Sequence, residues 1–159
     1  MIPPLATTEN LLALERQVRL AGSGIAATDL DGCWQLQLVW PKGSRRASNF
    51  SGWLLRGLAA RLEIRSEKEG VLQLSNAVNL GALELRFRGA GCLQGRRPLL
   101  MFSFAELELS LAGLVVFRRA LPEPPERKRP FFALIERSPE GWLAARGRGG
   151  GLALWCLAQ

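Results

Sequence analysis

Glu140-Gly-Trp-Leu-Ala-Ala-Arg-Gly-Arg-Gly-Gly-Gly-Leu-Ala-Leu-Trp-Cys-Leu157 is the stretch whose reading decides the fold. Two apolar runs, Trp142 to Ala145 and Leu152 to Leu157, flank a centre of glycine and arginine. Glycine reaches positive φ without steric cost, and a chain reversing between two strands needs such positions. Gly147 to Gly151 therefore reads as the turn of a terminal β-hairpin, with the apolar runs as its arms. A one-residue slip would exchange the faces of Leu152 and Leu154 with those of Ala153 and Trp155, so the turn also sets register. A phosphate cradle is the rival reading. It lacks GxxxxGK[ST] and GxGxxG, and no helical pattern follows the glycines. A disordered arginine-glycine tail is excluded by the hydrophobic arms that hold the glycines.

Upstream, the same period of two recurs. Trp34, Leu36, Leu38 and Trp40 alternate with Cys33, Gln35, Gln37 and Val39 after an Asp31-Gly32 turn signal. Val71 to Val78, Leu83 to Arg88, Leu99 to Phe104, Glu106 to Val116 and Phe131 to Glu136 each read as strands. Turn clusters separate them at Glu69-Gly70, at Gly89 to Gly91 and at Arg96-Arg97-Pro98. Pro122 to Pro130 reads as an extended charged loop. Eight or nine short strands with short turns point to a mainly β fold, an antiparallel barrel or sandwich. A barrel of this size can enclose one small ligand.

Two segments read differently. From Thr8, Leu11, Leu14, Val18 and Leu12 share one side of a short helix, capped by Thr7 or Thr8 and stopped by Gly22-Ser-Gly24. Residues 1–22 form an N-terminal helical segment whose apolar face is expected to pack across an end of the barrel. Gly52 to Leu62 fits either a second short helix or a bent strand, with Trp53, Leu54, Leu58 and Leu62 at helical spacing.

The 159 residues make a single domain, 1–159, able to bury about two-thirds of its unfolded surface. The chain has no histidine, which removes catalytic triads, imidazole acid–base pairs and His-based metal sites. Cys33, Cys92 and Cys156 are scattered without CxxC spacing and read as small core residues. Met1-Ile-Pro-Pro-Leu-Ala-Thr-Thr8 lacks the pattern of a signal or transit peptide, and no run approaches the ~20 apolar residues of a membrane-spanning helix. The expectation is a protein that stays in the compartment where it is made, the cytoplasm. The formal charge of +7 rests on 21 basic residues that occur as scattered pairs such as Arg45-Arg46, Arg96-Arg97 and Arg118-Arg119. Solvated faces explain that pattern better than a nucleic-acid surface, and no RNP motif, helix-turn-helix or zinc finger accompanies it.

Leu30, Gly32 and Trp34 form an L-x-G-x-W opening, Asn76-Ala-Val-Asn79 precedes an alternating strand, and Arg146, Gly147 and Gly150 form a late R-G-x-x-G turn. In order and spacing these resemble the plastid lipid-associated protein or fibrillin family, in its cyanobacterial form. The likeness spans most of the chain. The family's aromatic-threonine step is Val39-Trp40 here, and Ser138-Pro-Glu-Gly141 stands in place of its tyrosine-leucine-aspartate segment. The resemblance implies a lipocalin-like barrel that binds or carries a lipophilic molecule, a lipid, quinone or carotenoid, at photosynthetic membranes or lipid bodies. A peripheral position on thylakoid membrane goes with it.

Apolar cavities are lined by hydrophobic and aromatic side chains with few polar anchors. The candidates for such a wall are Trp34, Leu36, Leu38, Phe87, Phe102, Phe104 and Trp155, each equally suited to plain core packing. Arg146 has three readings: a headgroup anchor, a bridge to a carboxylate such as Glu84, or a solvated charge. Glu106 and Glu108 alternate with leucines as a solvated face does, and Asp29 and Asp31 bracket a turn, so no enzyme is expected, nor any metal or cofactor. Trp53, Arg56 and Arg61 have the composition of a segment lying on an anionic membrane. The alternative in another class is a basic structural or assembly factor with a solid core. Nucleic-acid binding is expected to be weak, sequence-blind and lost by moderate salt. Submicromolar affinity for one sequence in a filter-binding titration at physiological salt would contradict it.

Overall fold

The computed structural model describes residues 7–44, 46 and 61–159. Helix α1 (Thr8–Ala21) begins where expected: the Thr7 hydroxyl accepts a hydrogen bond from the Asn10 N–H at 3.3 Å. Gly22 ends it at φ 83°, its N–H donating to the Val18 carbonyl at 2.9 Å. Among the described residues nine strands follow: β1 (Gly32–Trp40), β2 (Arg61–Ser66), β3 (Val71–Leu80), β4 (Leu83–Gln94), β5 (Leu99–Leu111), β6 (Leu114–Ala120), β7 (Phe131–Arg137), β8 (Trp142–Gly147) and β9 (Leu152–Leu157). Their order is β4-β3-β2-β1-β9-β8-β7-β5-β6, and β4 pairs with β5 as well. Eight strands therefore close into an antiparallel, lipocalin-like barrel, with β6 attached outside the ring.

The terminal hairpin has the expected arms and register. Leu143 faces Trp155 and Ala145 faces Ala153 across the pair, and the Gly147 N–H donates to the Gly151 carbonyl at 2.9 Å. Gly150 at φ 91° supplies the left-handed step of the turn. Of the Gly52 to Leu62 segment, only Arg61 and Leu62 lie among the described residues, and they open β2. Trp53 and Arg56 lie outside them.

Three expectations about the elements and their packing need correction. Leu99 to Phe104 and Glu106 to Val116 are not two strands. Leu99–Leu111 is continuous, and the reversal falls at Ala112-Gly113, both at positive φ as a two-residue hairpin turn requires. Gly89 to Gly91 is not a turn but the interior of β4, where a bulge separates Arg88 from Gly89. A Cβ on Gly89 would run into the Ser103 carbonyl, and one on Gly91 would lie 2.5 Å from the Met101 oxygen. The glycines serve close strand approach, not chain reversal. Finally, α1 does not cross a barrel end. Leu11 packs on the outer face of the sheet with Leu38, Trp40, Ile135 and Leu154, and Leu12 and Leu14 border that cluster.

The end where β1 begins is closed by the 3-10 turn Ala27–Leu30, whose Leu30 is fully buried. Trp34 sits just inside, its Nε1–H donating to the Leu30 carbonyl at 2.8 Å. Ile64, Leu72, Leu74, Leu100, Leu134 and Leu143 complete a packed interior in that half. The cysteines are half-buried and free rather than core residues.

Gly89→Ala is expected to lower stability by about 2 kcal/mol, through forced separation of β4 and β5. Gly149→Ala, with open space around it, should stay within about 0.5 kcal/mol of the parent. Urea melts of both variants test this, and an unaffected Gly89→Ala would refute it.

Candidate functional site

Above that packed half, the interior holds a cavity of about 400 Å³. Strand directions place it toward the end where β1 and β8 finish and β2 and β9 begin. Leu36, Phe102, Phe104 and Trp155, four of the residues proposed from sequence, stand on its wall. Leu62, Val39, Phe132 and Ala153 join them. Phe87, Phe104, Phe102, Phe132 and Trp155 form a chain of ring contacts with centroids 5.3 to 5.6 Å apart. Such tilted and offset contacts hold rings in place beyond simple area burial. The aromatics are therefore an ordered wall.

The remaining candidates stand elsewhere. Trp34 belongs to the packed half, with the Arg137 guanidinium 5.0 Å from its ring centroid. Phe87 touches Phe104 without lining the cavity. Leu38 faces the opposite way, into the helix-packing cluster. The reason is a bulge: Leu36 opposes Trp155 but Leu38 opposes Leu154, so Gln37 is one residue too many for its partner strand. Beyond it the inward and outward positions exchange, and Val39 takes the inward place. Strict alternation cannot reveal such a step.

Arg146 also turns outward. Its Nε and one terminal nitrogen donate to the two oxygens of Glu15 at 2.5 and 2.6 Å, and the other donates to the Gly150 carbonyl at 2.6 Å. Arg97 adds a bond to Glu15 at 3.1 Å and Arg19 one at 3.3 Å. Of the three readings of Arg146, the bridge to a carboxylate is the one present. The partner is Glu15 on α1, while Glu84 pairs with Arg86 at 2.8 Å. Glu15 is 4% exposed, on a face whose other buried positions are Leu11 and Val18. The Arg146 hydrogen bond, reinforced by the charges of Arg146, Arg19 and Arg97, holds its carboxyl below the ordinary value of 4.5 despite burial. Its charge reads as solvated, but helical spacing sets Glu15 within the apolar stripe, four residues after Leu11 and three before Val18. The position of Arg146 is what makes a carboxylate tolerable there.

Among the lining residues, Asn76 alone has a polar side chain. Its Oδ1 is buried and has no hydrogen-bond partner. It follows Leu72 and Leu74 at period two on β3, which the sequence does show: one amide at the end of an inward apolar row. Glu106 and Glu108 lie on the outer face. There Arg118 donates to Glu108 at 2.7 Å and Arg88 stands 3.4 Å away. Glu108 owes its low exposure to these overlying guanidiniums rather than to depth in the protein. Among the described residues, no three His, Cys, Asp or Glu side chains gather as metal donors. Comparison with known proteins returned no matching family model, no matching characterised protein and no matching solved structure.

Glu15→Gln should cost about 2 kcal/mol at neutral pH. That is less than the roughly 3–5 of a fully buried pair, because Arg19, Arg97 and Arg146 stay partly wet. A depressed native pKa stabilises the fold above the ordinary value and loses that contribution as pH falls through the native one. The gap between parent and Glu15→Gln should therefore narrow below pH 4.5. Urea melts across pH check it, and a pH-independent gap would refute the ionic account.

Proposed function

We propose that the protein is a non-enzymatic binder or carrier of one lipophilic small molecule, a lipid, quinone or carotenoid, held in the barrel cavity. The observation that carries this reading is the wall itself: aliphatic and aromatic apart from the Asn76 amide, with no titratable group among its residues. A site without acid, base or nucleophile has little to offer a reaction. At about 400 Å³ it lies within the range typical of ligand pockets. Burying an apolar molecule there is favourable by about 25 cal/mol for each Å² removed from water.

Asn76 supports a finer statement. A buried carbonyl oxygen without a donor costs roughly 1–3 kcal/mol, and a ligand hydroxyl would relieve that cost. The preferred cargo is accordingly a lipophilic molecule with one hydroxyl or comparable donor, its ring or chain against Phe102, Phe132 and Trp155. The fibrillin resemblance would place this work at a photosynthetic membrane or lipid body, with the protein cytoplasmic and peripheral. No helix among the described residues is long and apolar enough to cross a membrane.

Retinol and its methyl ether serve as fluorescent probes. Retinol is expected to bind saturably at one site per chain, and Ala153→Phe, which fills the cavity, should weaken it by about tenfold or more. Asn76→Leu should erase the preference for retinol over the ether while leaving affinity for the ether in place. A parent protein that takes up neither probe would favour a structural factor with a solid core.

A further inference from the structure

Two hairpins extend the barrel wall at the end where the cavity lies. One joins β3 to β4 through Gly81-Ala82, the other β5 to β6 through Ala112-Gly113, and the Ala112 N–H donates to the Ala82 carbonyl at 2.8 Å. The paired tips therefore form one projection. From Ala77 to Leu83 and from Leu109 to Phe117 no residue carries a charge. Leu80 is 68% exposed, Leu114 74% and Val116 57%, and Leu83, Leu111 and Phe117 are exposed as well. Soluble surfaces rarely gather apolar side chains this way without a partner.

The distribution of these side chains identifies the partner. Leu114 pairs with Leu111 and Phe117 with Leu109, so both share the apolar face of the sheet. Val115 pairs with Ser110 on the opposite face. A strand added to the β6 edge would satisfy backbone groups but leave apolar side chains on both faces in water. A lipid interface surrounds a projection on all sides. Charge begins at the base of the tips. Glu84 and Arg86 form one ion pair, Arg118 and Glu108 another, and Arg119 has no ion-pair partner among the described residues. Arg119 stands beside Leu107, two residues below Phe117 on β6. With the net charge of +7, an unpaired guanidinium below an uncharged tip complements anionic headgroups above an acyl layer.

We infer that the twin hairpin tip inserts into the interface of an anionic lipid bilayer, with Leu80, Leu83, Leu114, Val116 and Phe117 in the acyl boundary and Arg119 at the headgroups. The surface is distinct from the Trp53 segment considered from sequence, and its action requires no bound cargo. Insertion would turn the cavity end of the barrel toward the membrane.

Co-sedimentation with vesicles of phosphatidylcholine and phosphatidylglycerol in equal parts tests it, with pure phosphatidylcholine for comparison. The parent should pellet with the mixed vesicles and less with the neutral ones. Leu114→Asp with Val116→Asp should weaken binding by about tenfold or more, and Arg119→Gln by about fivefold on the mixed vesicles only. Thermal melts and retinol titrations of the same variants report whether barrel and cavity are intact. Leu114→Ser with Val116→Ser replaces the acidic pair if that pair fails to fold. A parent that ignores mixed vesicles, or tip variants that pellet like the parent, overturns the inference. So does a parent dimer, seen by sedimentation velocity, that binds no vesicle and that the tip variants dissociate; the tips would then meet a second copy.

Discussion

Three residue pairs close this barrel: Leu99 with Ala133, Leu100 with Phe132 and Met101 with Phe131. Strand β5 bonds β4 along its whole length, while its other edge is divided between β7 near its start and β6 near its end. Had β7 taken the entire edge, no wall would project past the ring. Had it taken none, the sheet would be open and its interior wet. The short closure therefore sets both the enclosed cavity and the free-standing hairpins. It depends on Gly89 and Gly91, which let β4 approach β5 where a Cβ would collide with the partner backbone.

The sheet is buried on two faces around β1, β9, β8 and β7, and this governs where the charges lie. Inside, the barrel takes the aromatic chain; outside, α1 covers Leu38, Trp40 and Leu154. A helix on an apolar outer face brings Glu15, which lies on its buried side with Leu11 and Val18, into a place with little water. Desolvation of a carboxylate there is tolerated because Arg146 meets it with two hydrogen bonds and Arg97 with a third. The Gly147 to Gly151 turn holds Arg146 through the Gly150 carbonyl, so the terminal hairpin and the N-terminal helix are fastened at one point.

Cavity and projection belong to one end of the molecule. Leu72, Leu74 and Asn76 run outward along the inner face of β3 toward Leu80, and across the pair Phe87 leads to Leu83. Packed interior, cavity wall and exposed tip are successive parts of the same apolar face. The outer face of the same strands carries the Glu84, Arg86, Glu106, Glu108 and Arg118 ion pairs. An amphipathic sheet of this kind keeps one side apolar from core to surface, as the proposed passage of lipophilic cargo between bilayer and cavity would require.

By itself the sequence determined the mainly β fold class, the helix with its Thr7 cap and Gly22 stop, and the terminal hairpin with its register. Each is encoded within a few residues, by period, cap or turn glycine. It also marked four residues of the cavity wall, since Leu36, Phe102, Phe104 and Trp155 occupy inward positions in regular alternation. Only the tertiary structure decided the rest. Leu38 lost its inward place to a bulge at Gln37, which one strand cannot announce because the extra residue is defined by its partner. Gly89 and Gly91 resembled a turn because close strand approach and chain reversal both call for glycine. Arg146 and Glu15 lie 131 positions apart, and no local pattern links a guanidinium on a hairpin to a carboxylate on a helix. Their pairing exists because the sheet's outer face and the helix's inner face meet there, and exclusion of water makes that contact strong.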